Sequence, residues 1–376
     1  MFLREKYINY KFKAVNIRRS ILGMVIFLTL FGLLMVYDVS SIYAWQKYAD
    51  AMYFLKRQIV SVVIGLMFMF VAMAVDLDYL KRHSRHLVIL GVILLLCTFI
   101  PYLSRSAGGA RRWIHVGMFN FQPSELVKVF FIIYCADYFS RKKSLRYNFR
   151  KGVLPLLLVT AALSFLILME PDLGNAFFIS FLALILIFVW GASRKKLTSL
   201  FAVLFFLTLI LVLISPYRRA RLAVYFNPWL DAKGKGFQIV QSQIAIGSGG
   251  ILGAGLGKGE QKLFFLPAAH TDFIFSIIAE ELGLGGALVI LLSFFWIFLQ
   301  SFRLLRELEE GFSFYLGLGA VLTIILEVLI NITVALGIFP AKGLPLPFIS
   351  YGGTAVVINF VLLGLFFNAS NRIVAS

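Results

Sequence analysis

The chain has 376 residues, 60% of them hydrophobic and only 14% charged, with 39 Phe and a mean hydropathy of +0.90. Soluble domains carry far more charge, so this composition excludes a water-soluble enzyme and fits an all-α, polytopic integral membrane protein. The formal net charge of +18 does not read as nucleic-acid binding. Lys and Arg cluster between apolar runs, where they orient a membrane protein and attract anionic lipid.

Apolar blocks of about 17 to 25 residues are each long enough to cross a ~30 Å hydrocarbon core as helix. They predict ten transmembrane helices, over 17–37, 58–75, 87–103, 122–139, 153–169, 174–191, 197–215, 273–302, 312–339 and 354–370. The basic N-terminus, 1–16, is expected in the cytoplasm. The cluster Arg141, Lys142, Lys143, Arg146, Arg150 and Lys151 after the fourth span, and Arg194, Lys195 and Lys196 after the sixth, agree with that orientation. An even number of spans returns the C-terminus to the same side. The first apolar run is too long for a secretory signal and lacks a small-residue cleavage site, so it reads as a retained span. Cys97 and Cys135 both fall inside predicted spans and imply neither a disulfide nor a metal framework.

Three outer segments, 104–122, 216–272 and 340–354, combine Gly, Pro, Arg or Lys and aromatics beside spans. The second is a large extracytoplasmic loop between helices 7 and 8. Irregular backbone near a bilayer is tolerated only where protein or a water-filled cavity covers it, so the three are expected to converge over a cavity open to the outside. Within the large loop, Pro216 to Leu222 reads as an interfacial amphipathic helix, Asn227-Pro228-Trp229 as a turn, and Gln238 to Gly247 as a helix. The glycine-dense stretch from Gly247 to Gly259 matches neither phosphate-loop pattern, which argues against a nucleotide site. No repeat period is present, and 1–376 reads as a single membrane domain.

Ionisable residues in or beside spans are functional candidates. Glu125 and Lys128, three apart, are expected to form a structural ion pair. Glu280 and Glu281 read as a polar interhelical contact, and Glu327 with Asn331, four apart, as a hydrogen bond. Glu170-Pro171-Asp172 suits a turn into a helix N-terminus. Asp272 closes the large loop where the eighth span begins. It reads either as that helix's N-cap or as a half-desolvated carboxylate adjusted for proton abstraction, with His270 and outer-face cations nearby. Arg111, Arg112 and Lys342 are candidates to hold a diphosphate. These parts permit glycosyl transfer from a lipid-linked sugar diphosphate: a base for the acceptor hydroxyl, cations for the leaving group, and a membrane groove for the lipid. No metal-ligand cluster is present and no cofactor is required. A divalent cation, Mg or Mn, escorting the anionic substrate is an added expectation.

Gly109-Ala110-Arg111-Arg112-Trp113-Ile114, Gln122-Pro123-Ser124-Glu125 with Lys128, Glu170-Pro171-Asp172-Leu173-Gly174, Leu266-Pro267 with His270-Thr271-Asp272-Phe273-Ile274-Phe275, and Pro347-Phe348-Ile349-Ser350-Tyr351-Gly352-Gly353 occur in this order. Together they resemble the signature of the SEDS family, the RodA, FtsW and SpoVE group, over nearly the whole chain. The resemblance implies a ten-span protein of the bacterial inner membrane with both termini cytoplasmic and its active site facing outward. It implies a peptidoglycan glycosyltransferase that polymerises lipid II, the 4-hydroxyl of one lipid II attacking the anomeric carbon of a glycan held on undecaprenyl diphosphate. By the same resemblance Asp272 is the catalytic base. Arg112, Trp113 and Lys342 are substrate contacts, with Arg111, Gln122 and Ser350 expected beside them. The implied partners are a class B penicillin-binding protein, whose transpeptidase crosslinks the strands, and other division proteins, with no nucleic acid. Lys342-Gly343 and Gln261 to Pro267 look most like the septal FtsW type. A RodA-type elongation polymerase and a lipid II flippase are the alternatives. Glu170 stands where Gln is common, Thr354 where Ser is usual, and Ala268-Ala269 in place of a frequent acidic residue.

Overall fold

A computed structural model describes residues 2–100, 102, 104–107, 110–116, 119–215, 219, 227–234, 236–340 and 343–375. Every apolar block expected as a span falls on a helix: α1 (Phe2–Tyr48), α2 (Tyr53–Ala74), α3 (Leu77–Cys97), α4 (Pro123–Arg141), α5 (Leu154–Met169), α6 (Leu173–Val189) and α7 (Arg194–Ile214), then α9 (Ile274–Leu305), α10 (Phe312–Ala335) and α11 (Gly353–Ala375). A further helix, α8 (Phe237–Gly249), lies in the large loop. Six of these carry segments long and apolar enough to cross a bilayer, on α1, α2, α5, α9, α10 and α11, while Leu173–Val189 and Thr198–Ile214 are shorter apolar helices. Helix ends follow local chemistry. Asp76 caps α3 by accepting from the Asp78 N–H at 2.9 Å, so α3 starts ten residues ahead of its apolar block. Pro123 opens α4, where its missing N–H has no intrahelical partner to lose.

The bundle has an apolar core and is apolar on its outside as well. In α10 and α11, 78% of the apolar window is buried, against 33% in α2 and α9, so α10 and α11 lie at the centre, with α4, of whose 19 residues 14 are buried, and α2 and α9 lie at the rim. Phe70, Phe165, Phe205 and Phe295 are exposed on that rim, where lipid tails are as apolar as the side chains themselves. Cys97 and Cys135 are free thiols.

The all-α expectation needs one correction. Part of the first outer segment forms a three-stranded antiparallel sheet, β1 (Ser104–Ala107), β2 (Ala110–Val116) and β3 (Phe119–Phe121), in the order β1-β2-β3. Its strands are too short, and the first two too rich in Arg, to show a clear period-2 pattern, yet cross-strand pairs such as Arg105 with Trp113 and Ile114 with Phe121 satisfy the backbone. In the large loop the expected turn is a short 3₁₀ helix, Pro228–Asp231, and α8 packs on α9 through Ser242, whose Oγ lies 2.6 Å from both Ser276 Oγ and Ala335 O. The expected amphipathic helix at 216–222 lies outside the described residues apart from Arg219.

The glycine-dense stretch wraps a break in α9. Gly283 has φ 64 and ψ −163, a backbone that interrupts the helical ladder. The carbonyls of Glu280 and Glu281 accept instead from the N–H groups of Ala254 and Gly255, both at 2.9 Å, and Leu284 N–H donates to Gly250 O at 2.9 Å. A Cβ on Gly283 would lie 2.4 Å from Gly253 N, and one on Gly253 would lie 2.2 Å from Glu281 O. Both glycines are therefore required for the loop to reach the helix backbone.

Candidate active site

Asp272 sits at the end of a tight turn. Ala268, at φ 55, directs its carbonyl toward Asp272 N–H at 3.0 Å, Thr271 N–H at 3.1 Å and the Thr271 hydroxyl at 3.1 Å. The N-cap of α9 is Phe273, with no side-chain cap, so the Asp272 carboxylate is not engaged in capping. Its side chain is half-buried. Desolvation raises its pKa to about 6, opposed by a hydrogen bond with Thr271. His270 is packed against Tyr43, Phe54 and Tyr351, and burial lowers its pKa to about 4, so it is neutral at pH 7.

The third outer segment lies directly against this turn. Asn331 on α10 donates through Nδ2 to both Asp272 O (2.9 Å) and Leu344 O (2.8 Å), fastening the two segments together. Tyr351 N–H donates to His270 O at 2.9 Å. A Cβ on Gly343 would come within 3.4 Å of Asp272 Oδ2, which places that backbone beside the carboxylate. Lys342 itself lies outside the described residues. Ser350 is fully buried, and its Oγ accepts from Leu346 N–H at 2.9 Å. It fixes a turn and is not placed to touch a substrate, contrary to the expectation for it. Gln58, on α2, adds a brace by donating to Ser350 O at 2.9 Å.

The first outer segment joins from the other side. Gln122 N–H donates to Thr354 Oγ1 (3.2 Å), which donates on to Asn120 O (3.2 Å), tying it to the end of the third segment. Arg112, on β2, donates to Pro171 O at 3.0 Å and lies 3.6 Å from Asp172 Oδ2. Gln122 Nε2 is 3.5 Å from the same oxygen. Asp172 also caps α6 through Asn175 N–H at 3.0 Å. Trp113 is half-buried beside Arg112, and the Arg111 side chain is outside what the structure describes, although its backbone pairs with Ser106. Glu170 is 1% exposed and 2.8 Å from Thr98 Oγ1, with its other oxygen lacking a partner. Burial pushes its pKa up to about 8. The Thr98 hydroxyl also lies 2.7 Å from Leu95 O. Its single hydrogen satisfies that carbonyl if Glu170 carries the proton.

Between these segments the bundle holds a buried ion cluster. Lys128 Nζ is 2.8 Å from Glu125 and 2.7 Å from Glu327 on α10, and all three side chains are almost wholly enclosed. Glu327 thus pairs with Lys128 and not with Asn331, which lies one helical turn away and holds Asp272's carbonyl. Glu280 and Glu281 also depart from the expected interhelical contact. Glu280 accepts from the N–H groups of Glu260 (2.8 Å) and Gln261 (3.2 Å). Glu281 accepts from those of Gly257 (3.0 Å) and Gly259 (3.1 Å) and from Lys262 (2.6 Å). Lys262 continues to Asp38 on α1 at 2.6 Å. These carboxylates anchor the loop that leads to Asp272. Asp38, directly after the first apolar run, is the sequence signal for this anchor.

Fold and site together define a polytopic helical membrane protein with a half-buried carboxylate where two of its outer segments meet and the third joins them. The family model FTSW_RODA_SPOVE, described as cell cycle protein, matches residues 18–373. The chain belongs to that family. It is 39% identical to the probable peptidoglycan glycosyltransferase FtsW of Geobacter metallireducens over 97% of this chain and 98% of that one. Stage V sporulation protein E of Bacillus subtilis is 37% identical over 90% and 93%. Among solved structures, a chain from "Structural coordination of polymerization and crosslinking by a peptidoglycan synthase complex" aligns at a TM-score of 0.76 and 27% identity, covering 94% of this chain and 97% of that one. The rod shape determining protein RodA of Thermus thermophilus aligns at 0.69 and 26% identity, over 94% and 96%.

Proposed function

We propose that the chain is a peptidoglycan glycosyltransferase of the FtsW type, polymerising lipid II during septal wall synthesis. The observation that carries this reading is the carboxylate of Asp272, free of capping, half-desolvated, and clamped through Asn331 to the segment that contains Lys342. In the reaction, Asp272 takes the proton from the 4-hydroxyl of the acceptor. That oxygen bonds to the anomeric carbon of the donor glycan, and the bond from that carbon to the undecaprenyl diphosphate breaks, the electron pair leaving with the diphosphate. A pKa near 6 keeps the carboxylate ionised at pH 7 while making it a stronger base than an ordinary aspartate. Arg112 and Lys342 supply positive charge for the leaving group. The Glu170-Pro171-Asp172 turn orients Arg112.

The ten helices that carry the apolar blocks are read as ten spans, with both termini in the cytoplasm, Asp272 facing outward, and the membrane the inner one. A class B penicillin-binding protein is the proposed crosslinking partner, in line with the wording attached to the peptidoglycan synthase complex that this fold resembles. Among the described residues no three His, Cys, Asp or Glu side chains stand together as a metal-ligand set. A divalent cation that arrives with the substrate diphosphate stays within this proposal, and no step is routed through one.

The test is polymerisation of labelled lipid II by purified protein, with and without the cognate penicillin-binding protein. Wild type should give glycan ladders. Asp272→Ala should lose about 100-fold or more of the rate while keeping its thermal midpoint. Full-rate polymerisation by that variant would remove the base assignment, and lipid II translocation without ladders from wild type would favour a flippase.

A further inference from the structure

A second site lies at the opposite end of the bundle. A cavity of about 690 Å³ opens between the segment joining α4 to α5 and the start of α7. The 19 residues of α4 separate it from the Gln122 end, about 28 Å at 1.5 Å per residue. Three cations line it, Arg150, Lys195 and Lys196, together with Tyr147, Phe149 and Ser199. None of the three cations pairs with a carboxylate among the described residues, whereas nearby Arg141 and Lys143 are engaged by Asp137 and Glu310 at 2.7 Å. Phe149 and Arg150 belong to a π-helical turn, Phe149–Val153, a backbone form that recurs at functional sites. The Lys196 ammonium lies 5.9 Å from the centre of the Phe149 ring.

Unpaired cations on a convex face are ordinarily just solvated. Here they surround a concavity of ligand size, and an apolar wall continues from it. Leu154 and Leu158 on α5, and Val203, Leu207 and Ile210 on α7, are exposed along the helices that rise from the cavity. A soluble phosphate compound would use the cations alone. A lipid would use both, with its phosphate among the cations and its acyl chains along α5 and α7. We propose that this cavity is a binding site for the headgroup of an anionic glycerophospholipid of the cytoplasmic leaflet. The site shares with the proposed activity only the topology and takes no part in the transfer chemistry.

The test titrates the purified full-length protein in detergent with short-chain phosphatidylglycerol, against phosphatidylcholine, glycerol 3-phosphate and inorganic phosphate. Phosphatidylglycerol should bind saturably and at least tenfold tighter than phosphatidylcholine, and glycerol 3-phosphate should not displace it at matched concentration. The double substitution Lys195→Ala/Lys196→Ala should weaken it by roughly thirtyfold, from the usual contribution of a basic residue near anionic lipid. Ser199→Trp, which intrudes on the cavity wall and leaves the charges, should also weaken binding. Lys143→Ala, on the same face but outside the cavity, should change nothing. Undiminished binding by the double variant or by Ser199→Trp would overturn the site in favour of diffuse surface attraction. Displacement by glycerol 3-phosphate would overturn the lipid in favour of a soluble anion.

Discussion

At the scale of single residues, Asp272 and Glu170 are two carboxyls moved the same way by burial, to different ends. Asp272 must be ionised to accept a proton, so its raised pKa sets an acid limit on turnover. Polymerisation should be half-maximal near pH 6 and fall about tenfold per pH unit below that. A rate profile from pH 4.5 to 8 checks this, and a midpoint near the ordinary aspartate range would show that a different group limits the reaction. Glu170 is expected to work in its protonated form. Its pKa of about 8 lies above the ordinary glutamate value of 4.5, so the folded state holds the proton more tightly than the unfolded chain. The stability linked to that proton is complete below pH 4.5 and is lost as pH rises toward 8, up to roughly 5 kcal/mol by linkage. Glu170→Gln should keep the bond to Thr98 and flatten this dependence, so its thermal midpoint should exceed wild type at pH 8.5 and match it at pH 5. Of these two residues, the sequence marked Asp272 through its place before an apolar run. It offered only a turn for Glu170, because the Thr98 hydroxyl that reveals its proton is 72 residues away.

Among helices and loops, what could be read from spacing was local. Glu125 and Lys128 are three apart and do pair, but Glu327 lies 199 residues from Lys128 and only packing discloses it as the second partner. Glu280 and Glu281 looked like interhelical glue because adjacent glycines favour close helix contacts. The glycines serve a different end: Gly283 breaks α9, and Gly253 brings the loop backbone into the gap. Gly283→Ala should therefore cost about 2–4 kcal/mol, combining a left-handed backbone with overpacking against Gly253. Gly285→Ala, two residues on with nothing within 4 Å of the added carbon, should leave stability unchanged or slightly raised. Thermal unfolding of both variants in detergent decides it. Equal midpoints would mean that the break is not held by the loop.

For the molecule as a whole, hydropathy located the ten helices because each apolar block exceeds anything a soluble protein of this length would leave exposed. It misplaced several ends, since polar turns such as Asp76 to Arg85 extend helices beyond the oil-soluble part. Whether all ten cross turns on α6 and α7, which cross together or not at all if the two termini share a side. Their apolar segments, Leu173–Val189 and Thr198–Ile214, span about 26 Å at 17 residues each, somewhat short of a ~30 Å core. If both cross, Tyr147 and Thr198 lie in the cytoplasm and Lys233 outside. If neither does, Thr198 moves to the outer side together with Lys233, and only α5 separates them from Tyr147. All three residues are exposed, so single cysteines there, in a background with Cys97→Ala and Cys135→Ala, report the difference directly. A membrane-impermeant maleimide applied to spheroplasts should label Lys233→Cys at once, and Tyr147→Cys and Thr198→Cys only after permeabilisation. Immediate labelling at Thr198 would reduce the spans to eight and would require Lys196 to leave the Phe149 ring, 5.9 Å away on the cytoplasmic side of α5. The cavity beside Lys195, which Tyr147 and Phe149 also line, would then be split across the membrane, so the same experiment also tests whether it exists as one cytoplasmic site.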